Sequence, residues 1–364
     1  MLGNAQSGFP DLITSSLFFP TDMKIKKDIK DLKPVNVSED QIIRQKVGLR
    51  PYRKSGYRLE KQVIADKQII HNYGHGGGGI SLSWGTASMA TDLVDAQDTT
   101  SIAVLGCGII GLSTAIILQQ KGYEVTIYTK ELPADTTSNA AGALWAPFSV
   151  YDSESVSAGF EEQFDKASEI SLKMFSELVG EKYGIWWAPT YFLGGGFDFP
   201  GGEKLYPGYK THGPENGAFD YSLVQEVSAL MIEPPIYLHA LLDDFYRAGG
   251  EIEIKNFQDP QGLLALKENV LMNCTGLGSK QLFSDDELMP IRGQLAMIPA
   301  QPEIDYMYVV ESLDNLLYMF PRKDGIILGG TYEKGNGSLK INEDENARII
   351  AGHKTISDYL SRKK

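Results

Sequence analysis

The sequence is poor in residues that build metal and disulfide sites, with 2 cysteines and 5 histidines among 364 residues. Cys107 and Cys274 are too few for a zinc site and too far apart for a CxxC redox motif, so we expect two small buried residues. His71 and His75 are joined by glycine-containing sequence in which no helix is expected. We therefore interpret them as hydrogen-bonding loop residues, and the sequence predicts no metal site.

Long apolar runs and an excess of cationic residues are also absent. No apolar run approaches the roughly 20 residues that cross a bilayer, which argues against an integral membrane protein. The 34 Lys and Arg against 47 Asp and Glu give a net charge of −13, which argues against non-specific nucleic-acid binding. The first 22 residues contain no Lys or Arg and are not typical of a secretory signal, so we expect a cytoplasmic protein.

The composition is otherwise that of a globular protein, and 364 residues are enough for about two domains. Apolar residues recur at helical spacing in some segments and alternate or cluster as in strands in others. These patterns predict strands over 47–73, a helix over 158–182, a long loop over 190–218, a helix over 234–249, an antiparallel meander after residue 289 and a final helix over about 342–360.

The most informative segment is a strand, a glycine-rich turn, a helix and a second strand over 101–128. The turn is Gly106-Cys107-Gly108-Ile109-Ile110-Gly111, a GxGxxG motif in the context that dinucleotide-binding folds require. In such folds the first glycine permits a tight turn, the second lets the backbone approach a pyrophosphate, and the third brings helix and strand together. The alternative is a packing turn that binds no nucleotide.

An acidic residue that binds the ribose is expected about 20 residues further along the chain. Position 130 is a lysine, and the nearest carboxylate belongs to Glu131. Either Glu131 takes this role or another group binds the ribose, and the sequence leaves both open.

Six segments together resemble the D-amino-acid oxidase family of FAD flavoproteins: GCGIIGLSTA, DTTSNAAGALWAP, NCTGLGS, RGQ, GLRPYR and HNYGHGGGGISLSWG. They are spread over most of residues 35–345. The resemblance implies an α/β fold with a Rossmann-like FAD-binding domain and a mixed-sheet substrate domain. We accordingly divide the chain into an N-terminal arm (1–34), an FAD-binding domain (35–150 with 225–285 and 325–364) and a substrate domain (151–224 with 286–324).

The order of the motifs departs from the family. In the family, GLRP and HNYGHGG lie near the C-terminus, whereas here they precede the GxGxxG strand. The simplest explanation is a circular permutation, in which residues 95–100 join the former ends and close termini make the rearrangement tolerable. A coincidental inserted copy is disfavoured because neither motif occurs again later in the chain.

The resemblance also implies the residues of an active site. Arg50 in GLRP resembles the arginine that binds the substrate α-carboxylate, and a planar guanidinium matches a carboxylate bidentately. Tyr318 in LYMFP resembles a tyrosine whose hydroxyl reaches the same carboxylate, and Gly77 resembles a glycine whose carbonyl accepts from the substrate amine. From the residues alone, Arg50 is also compatible with a structural ion pair, and Tyr318 with packing on one face of a strand.

The cofactor implied by the resemblance is FAD. Its predicted contacts come from the glycine-rich turn, the segments after later strands and the glycine loop: Gly106, Gly108, Ile109, Ile110, Gly111, Glu131, Thr137, Ser138, Gly142, Ala143, Thr275, Gly276, Gly76, Gly78, Gly79, Ile80 and Ser81. The glycine loop, placed before a helix, is suited to stabilising negative charge that develops on a flavin ring. On glycine content alone, a plain flexible loop is an equal alternative.

The implied reaction is oxidative deamination of D-amino acids. Hydride passes from Cα to flavin N5, the imino acid is hydrolysed to a 2-oxo acid and ammonia, and oxygen or another acceptor reoxidises the flavin. The sequence offers no general base for this reaction. The alternatives are a related amine oxidase or dehydrogenase for glycine, sarcosine or another secondary amine, and a flavin-binding protein without turnover. Homo-oligomer formation is left open.

Two departures from the family bear on the substrate. The family's lid-borne tyrosine has no counterpart, because Asp314 stands four residues before Tyr318. Glu311 falls roughly where a relative with acidic substrates carries arginine. We therefore predict a shorter or different lid and poor turnover of acidic D-amino acids, since like charges would meet in a pocket of low dielectric.

Overall fold

The computed structural model describes residues 28–95, 99–142, 144–216, 218–310 and 316–362. Its strands are β1 (Arg44–Tyr52), β2 (Arg58–Ile64), β3 (Lys67–Tyr73), β4 (Ser101–Leu105), β5 (Glu124–Thr129), β6 (Ile185–Leu193), β7 (Lys210–His212), β8 (Val224–Ile232), β9 (Glu251–Ile254), β10 (Val270–Asn273), β11 (Met289–Ile298), β12 (Met307–Val310), β13 (Leu317–Arg322), β14 (Gly325–Gly329) and β15 (Glu333–Lys334). Its helices are α1 (Gly79–Thr91), α2 (Ile109–Gln120), α3 (Ala158–Glu177), α4 (Pro234–Arg247), α5 (Pro260–Leu264), α6 (Ser279–Leu282) and α7 (Glu343–Arg362). None of these helices is both long and apolar enough to traverse a bilayer.

The strands form two sheets. The six-stranded sheet has the order β2–β3–β10–β4–β5–β9, and all neighbours except β2 and β3 run parallel. The nine-stranded sheet has the order β1–β11–β14–β13–β12–β6–β8–β7, with β15 also paired to β11, and all its neighbours except β12 and β6 run antiparallel. The predicted α/β class with mixed sheets is therefore confirmed.

Strand β4 is buried on both faces, as its run of apolar residues predicts. Ile102 and Val104 pack in one core cluster with side chains of α2, whereas Ala103 and Leu105 pack in another cluster with Leu263 of α5. Alternate residues of a strand point to opposite faces, so helices cover both sides of the parallel sheet. The GxGxxG turn follows β4 and thus lies at the carboxyl end of a central parallel strand, where α/β sheets bind ligands.

Strand pairing differs from the sequence prediction in several places. The strands β1, β8 and β14, which belong to segments of the predicted FAD-binding domain, pair within the nine-stranded sheet and not with the parallel strands. The segment 190–218, predicted as a loop, contains the end of β6 and the short strand β7. The meander is confirmed for β12, β13 and β14, whereas β11 pairs with β14. The pattern within a strand indicates burial but not its partner. The domain boundaries themselves stay a prediction.

The beginning of the described chain packs against its end. Leu32 and Val35 share a core cluster with Leu360 of α7. The Ser357 hydroxyl donates to the carbonyl oxygen of Val35 at 2.5 Å. The last residues of the predicted N-terminal arm are therefore part of the core, while residues 1–27 lie outside the described residues.

Candidate active site

A cavity of about 1410 Å³ lies at the carboxyl ends of the parallel strands. Its walls are the segments that follow β3, β10, β4, β5 and β9, together with residues of β1, β11, β12 and β13. The volume exceeds the roughly 300–1,000 Å³ of common small-molecule pockets. The cavity is thus large enough for a dinucleotide with a small substrate beside it.

Most of the predicted site residues line this one cavity: Arg50, Gly76, Gly77, Gly79, Ile80, Ser81, Gly106, Gly108, Ile109, Ile110, Glu131, Thr137, Ser138, Gly142, Thr275, Gly276 and Tyr318. Three predicted residues do not belong to that set. Gly78 faces the core, where a Cβ would lie 2.5 Å from Cγ2 of Val150. Gly111 packs against the backbone of Gly106 and does not line the cavity. Ala143 is outside the described residues.

The GxGxxG turn has the geometry that its three glycines predict. Gly106 has a φ of +100°, and a Cβ there would lie 2.7 Å from the carbonyl oxygen of Cys274. A Cβ on Gly111 would lie 1.9 Å from the carbonyl oxygen of Gly106, so this glycine lets α2 pack closely on the turn. Gly108 has a φ of −74°, and a Cβ there would meet only the Ser138 hydroxyl, at 3.2 Å. The backbone of Gly108 is therefore open towards the cavity.

The groups around this turn fit a dinucleotide phosphate. The N-terminus of α2 presents backbone N–H groups and partial positive charge towards the cavity. The N–H of Ile109 donates to the Ser138 hydroxyl at 3.0 Å. Thr137 and Thr275 add hydroxyl groups to the same wall. A donor set of this kind suits the pyrophosphate of FAD.

The glycine loop between β3 and α1 lies directly on the segment 148–149. Gly76 has a φ of +54°, and a Cβ there would lie 2.3 Å from the carbonyl oxygen of Ser149. A Cβ on Gly77 would lie 2.7 Å from the carbonyl oxygen of Phe148, and the Gly77 N–H donates to the Ser149 carbonyl at 3.0 Å. Side chains here would push the loop away, whereas glycine leaves the backbone of Gly77 exposed in the cavity.

The residues that follow β5 present both signs of charge at one end of the cavity. The Lys130 ammonium lies 3.3 Å from a Glu131 carboxylate oxygen, and both residues line the cavity. Lys255, which follows β9, lines it as well. The Glu131 carboxylate and the Lys130 and Lys255 ammonium groups are thus available to bind a nucleoside at this end. That Glu131 binds the ribose stays a prediction.

Arg50 on β1 directs a partly buried guanidinium into the cavity. Its Nη1 donates to the carbonyl oxygen of Thr331 at 3.4 Å, and its Cζ lies 5.9 Å from the centre of the Tyr332 ring. Within the described ranges Arg50 forms no ion pair, unlike the neighbouring Arg53, which pairs with Asp285 at 3.0 Å. The alternative of a structural ion pair therefore finds no support here. A guanidinium without a carboxylate partner suits an anionic ligand.

Tyr318 on β13 is the neighbour of Arg50 in the cavity wall. Burial raises the pKa of Tyr318, and the Arg50 guanidinium opposes this shift through its charge and a side-chain hydrogen bond. The Tyr318 ring stacks on Phe320 with centroids 5.0 Å apart. The hydroxyl therefore stays protonated and can donate to the same anion as Arg50.

Tyr332 belongs to the site and was missed by the sequence analysis. It lies beyond β14, lines the cavity next to Arg50 and is 37% exposed. Burial raises its pKa, and a side-chain hydrogen bond to Ser149 lowers it. The signal in the sequence is a tyrosine two residues after the pair Gly329-Gly330, with which a buried strand ends.

The cavity wall beside Tyr318 is largely apolar. It includes the side chains Leu144, Phe148, Phe197, Val309, Leu316 and Phe320. Phe148 and Phe197 form an edge-to-face pair with centroids 6.2 Å apart. Glu311 and Asp314, which the sequence analysis connected with the lid and the substrate charge, lie outside the described residues.

Both cysteines are buried and free, as predicted. Burial raises the pKa of the Cys107 thiol and of the Cys274 thiol to about 12. They are therefore protonated at neutral pH and poor nucleophiles. Across the residues that the structure describes, no group of three or more His, Cys, Asp or Glu side chains is arranged to hold a metal ion.

His71 and His75 are both buried hydrogen-bonding residues, as the sequence predicts. The predicted loop position is wrong for His71, which lies on β3, whereas His75 lies in the glycine loop. His71 Nδ1 accepts from the Asn273 amide at 3.0 Å, and its Nε2 lies 2.9 Å from the Gln62 amide oxygen. His75 Nε2 lies 3.1 Å from the Thr86 hydroxyl. Burial lowers the pKa of each histidine to about 3. Both imidazoles are therefore neutral in the folded protein.

These pKa shifts predict loss of stability in acid. An unfolded histidine takes up a proton near its ordinary pKa of 6.5, whereas folded His75 takes one up only near 3. The unfolded state therefore binds more protons over this range, and the free energy of unfolding falls as the pH decreases from 6.5 towards 3. Thermal unfolding at a series of pH values measures the effect. We expect a shallower pH dependence for His75→Gln than for the control His239→Gln, at an exposed position of α4. Equal slopes would contradict the assignment.

Comparison with known proteins places the chain in a family. Residues 101–356 match the family model described as FAD dependent oxidoreductase. A D-amino-acid oxidase of Rubrobacter xylanophilus is 32% identical over 256 residues, covering 65% of this chain and 71% of the relative. A D-aspartate oxidase of Homo sapiens is 27% identical over 266 residues, covering 70% of this chain and 75% of the relative.

Solved structures share the fold at lower identity. Glycine oxidase from Geobacillus kaustophilus superposes with a TM-score of 0.52 at 15% identity, over 71% of this chain and 80% of that structure. Glycine oxidase from Bacillus cereus superposes with a TM-score of 0.51 at 15% identity, over 72% of this chain and 80% of that structure. The match in sequence, the shared fold and the cavity geometry agree: the chain belongs to the family of FAD-dependent oxidoreductases and is an enzyme of the kind that acts on CH–NH2 groups.

Proposed function

We propose that this protein catalyses the oxidative deamination of D-amino acids. The observation that carries the proposal is the Arg50 guanidinium, which has no carboxylate partner in the described chain and lies beside the Tyr318 hydroxyl. Both groups line the cavity that also contains the GxGxxG turn. An α-carboxylate would complete the hydrogen bonding of Arg50, since a carboxylate accepts two parallel N–H bonds from a guanidinium.

Each residue has a distinct part in this proposal. Arg50 and Tyr318 bind the carboxylate and so fix one end of the substrate. Gly77 presents exposed backbone to the cavity, where its carbonyl oxygen would accept from the substrate amine. Fixing both substituents of Cα orients its C–H bond towards the oxidant, and such orientation contributes a large part of enzymatic rate enhancement.

The cofactor site is formed by the two glycine-rich segments and the residues after β5 and β10 that line the cavity. FAD, when bound there, supplies the two-electron oxidant for the reaction. The N-terminus of α2 would hold its pyrophosphate, because Gly108 leaves room for the approach. The apolar wall around Phe148 and Phe320 would exclude water from the substrate.

The names of the relatives support an amino-acid substrate. Among the related sequences are a D-amino-acid oxidase and a D-aspartate oxidase, and two structural neighbours are glycine oxidases. All these substrates carry an α-carboxylate, so the carboxylate-binding group Arg50 does not distinguish among them. The apolar wall beside Tyr318 favours a substrate with an apolar side chain over glycine, and we propose the D configuration from the name of the D-amino-acid oxidase relative.

Anaerobic bleaching of the flavin absorbance tests the proposal directly. The purified holoenzyme is mixed with D-alanine, D-methionine and D-phenylalanine, with the matching L enantiomers, and with glycine and sarcosine. We expect rapid bleaching by the D enantiomers only. Bleaching by glycine or sarcosine alone would show a related amine oxidase, and no bleaching by any compound would show a flavin-binding protein without turnover. A peroxide assay in air then identifies oxygen as acceptor.

The apolar wall also predicts a preference against charged side chains. D-Asparagine and D-aspartate have nearly the same shape but differ by one negative charge, so the pair isolates the effect of charge. Burying an unpaired carboxylate is unfavourable, and we expect kcat/KM for D-aspartate to be at least about tenfold below that for D-asparagine. Steady-state rates at equal pH measure the ratio. A ratio near one, or a preference for D-aspartate, would contradict the prediction.

Two further sequence-based expectations stay predictions: oxygen or another acceptor as the oxidant of the reduced flavin, and a cytoplasmic location. The sequence leaves homo-oligomer formation open.

A further inference from the structure

Two glycines of the nine-stranded sheet lie against the two side chains that are proposed to bind the carboxylate. Gly293 is on β11, next to β1, and Gly329 is on β14, directly opposite Tyr318. Leu295 pairs with Gly329, so Gly293, two residues before Leu295, shares its face of the sheet. Neither glycine has a positive φ. The backbone would therefore accept other residues at both positions, and the reason for glycine lies in the space above them.

The space above Gly293 is occupied by the Arg50 guanidinium. A Cβ on Gly293 would lie 2.6 Å from Nη1, 2.8 Å from Cζ and 2.8 Å from Nη2 of Arg50. Three nearly equal distances mean that the guanidinium plane lies flat over the glycine. The Tyr332 ring is a second neighbour, 5.9 Å from Cζ. Arg50 is thus held by a bare stretch of backbone and by an aromatic ring. Its Nη1 donates to the Thr331 carbonyl and its side chain hydrogen-bonds with Tyr318, and the other N–H donors of the planar guanidinium remain for an anion.

The space above Gly329 is occupied by the phenol of Tyr318. A Cβ on Gly329 would lie 2.0 Å from Cε2, 2.0 Å from Cζ and 2.4 Å from Oη of Tyr318. These distances place the ring over Gly329 of the neighbouring strand β14, and on its own strand the ring stacks on Phe320. The bare backbone of Gly329 therefore determines where the Tyr318 hydroxyl lies.

We propose that Gly293 and Gly329 are positioning residues for carboxylate recognition. Their missing side chains leave two adjacent depressions on one sheet face, in which the Arg50 guanidinium and the Tyr318 phenol lie side by side. This inference rests on the proposed function of Arg50 and Tyr318. It adds that the sheet beneath them, and not only the two side chains, sets the geometry of the anion site.

Gly293→Ala is the sharper test, because its methyl group would collide with the end of a flexible side chain and not with backbone. We expect the variant to fold and to bind FAD within about twofold of the wild type, while the guanidinium is displaced. Benzoate, a carboxylate without an amine, serves as the probe and is titrated by the change in flavin absorbance. We expect its Kd to rise at least about tenfold, with a similar rise in KM and a smaller change in kcat.

Gly195→Ala is the matched control, because a Cβ there meets no atom within 4 Å and the residue does not line the cavity. It should leave Kd, KM and FAD affinity unchanged. In an Arg50→Lys background, Gly293→Ala should cause no further loss of benzoate binding, since the shorter, non-planar group does not occupy the same space. A further loss of the same size would overturn the proposal.

The outcomes separate this inference from the proposed function. If Arg50→Lys leaves benzoate binding unchanged, the proposed function fails. If Arg50→Lys weakens binding but Gly293→Ala does not, the positioning role fails alone. Should Gly293→Ala not fold, the double variant Gly293→Ala/Arg50→Ala removes the collision. Folding of the double variant supports the positioning role, and failure to fold overturns it. The same test applies to Gly329→Ala, whose methyl group would collide with the Tyr318 ring. There the double variant Gly329→Ala/Tyr318→Ala removes the collision.

Discussion

Replacement of Arg50 by methionine should abolish most of the activity while leaving the cofactor bound. Methionine keeps an apolar chain of similar length but removes every N–H donor and the positive charge. Losing one partner of a buried charge pair costs about 4 kcal/mol, which corresponds to about a thousandfold in kcat/KM for the best D-amino acid. Arg50 shares its wall with Tyr318, so the residual carboxylate binding should come from that hydroxyl.

Arg44→Met is the control for this experiment. Arg44 is on the same strand, is exposed and does not line the cavity. We expect its kcat/KM to be close to that of the wild type. Arg50→Lys should be intermediate, because it keeps the charge but loses the planar fork. Stopped-flow reduction of the flavin under anaerobic conditions separates substrate binding from the chemical step. Wild-type reduction rates in Arg50→Met would refute the assigned role of this residue.

Replacement of Gly108 by alanine should weaken FAD binding strongly without unfolding the protein. Gly108 has an ordinary φ of −74°, and its Cβ would meet only one hydroxyl at 3.2 Å, so the empty protein tolerates the methyl group. The methyl group would instead occupy the space through which a pyrophosphate approaches the backbone. We expect FAD affinity to fall about a hundredfold, measured by the quenching of flavin fluorescence.

Gly111→Ala is the informative contrast within the same motif. Its Cβ would lie 1.9 Å from the carbonyl oxygen of Gly106, so the turn or the helix must move. Overpacking of this kind costs about 1–3 kcal/mol, and we expect a lower Tm of the FAD-free protein together with weaker FAD binding. Gly108→Ala should change FAD affinity without changing that Tm. If both variants lowered the Tm equally, the open approach at Gly108 would not be supported.

The circular permutation stays our proposal for the order of the motifs. The family model begins at residue 101, yet β1 and β3, which precede it, pair with β11 and β10 inside the two sheets. The early segment also packs on the last helix, where the Ser357 hydroxyl donates to the Val35 carbonyl at 2.5 Å. A chain whose early and late segments lie in contact could be closed there and opened elsewhere without moving its core.

The local units of the fold were predictable because their contacts are close in sequence. The strand, turn and helix around Gly106 are adjacent in the sequence. The three glycines of the motif are needed for a positive φ, for an open backbone and for close packing within the motif itself. The helices α3, α4 and α7 likewise follow from apolar residues at helical spacing. Buried cysteines follow from their small number and apolar surroundings.

The composition and motifs of the sequence alone thus determined the α/β class, the dinucleotide turn and the resemblance to a flavoenzyme family. Tertiary structure decided which sheet β1, β8 and β14 join, and that Tyr332 and Gly293 lie beside Arg50. The physical reason is that periodicity reports which face of an element is buried, whereas strand register between distant segments depends on packing across the whole core. The carboxylate site lies at such a junction of distant strands, so its geometry exists only in the folded chain.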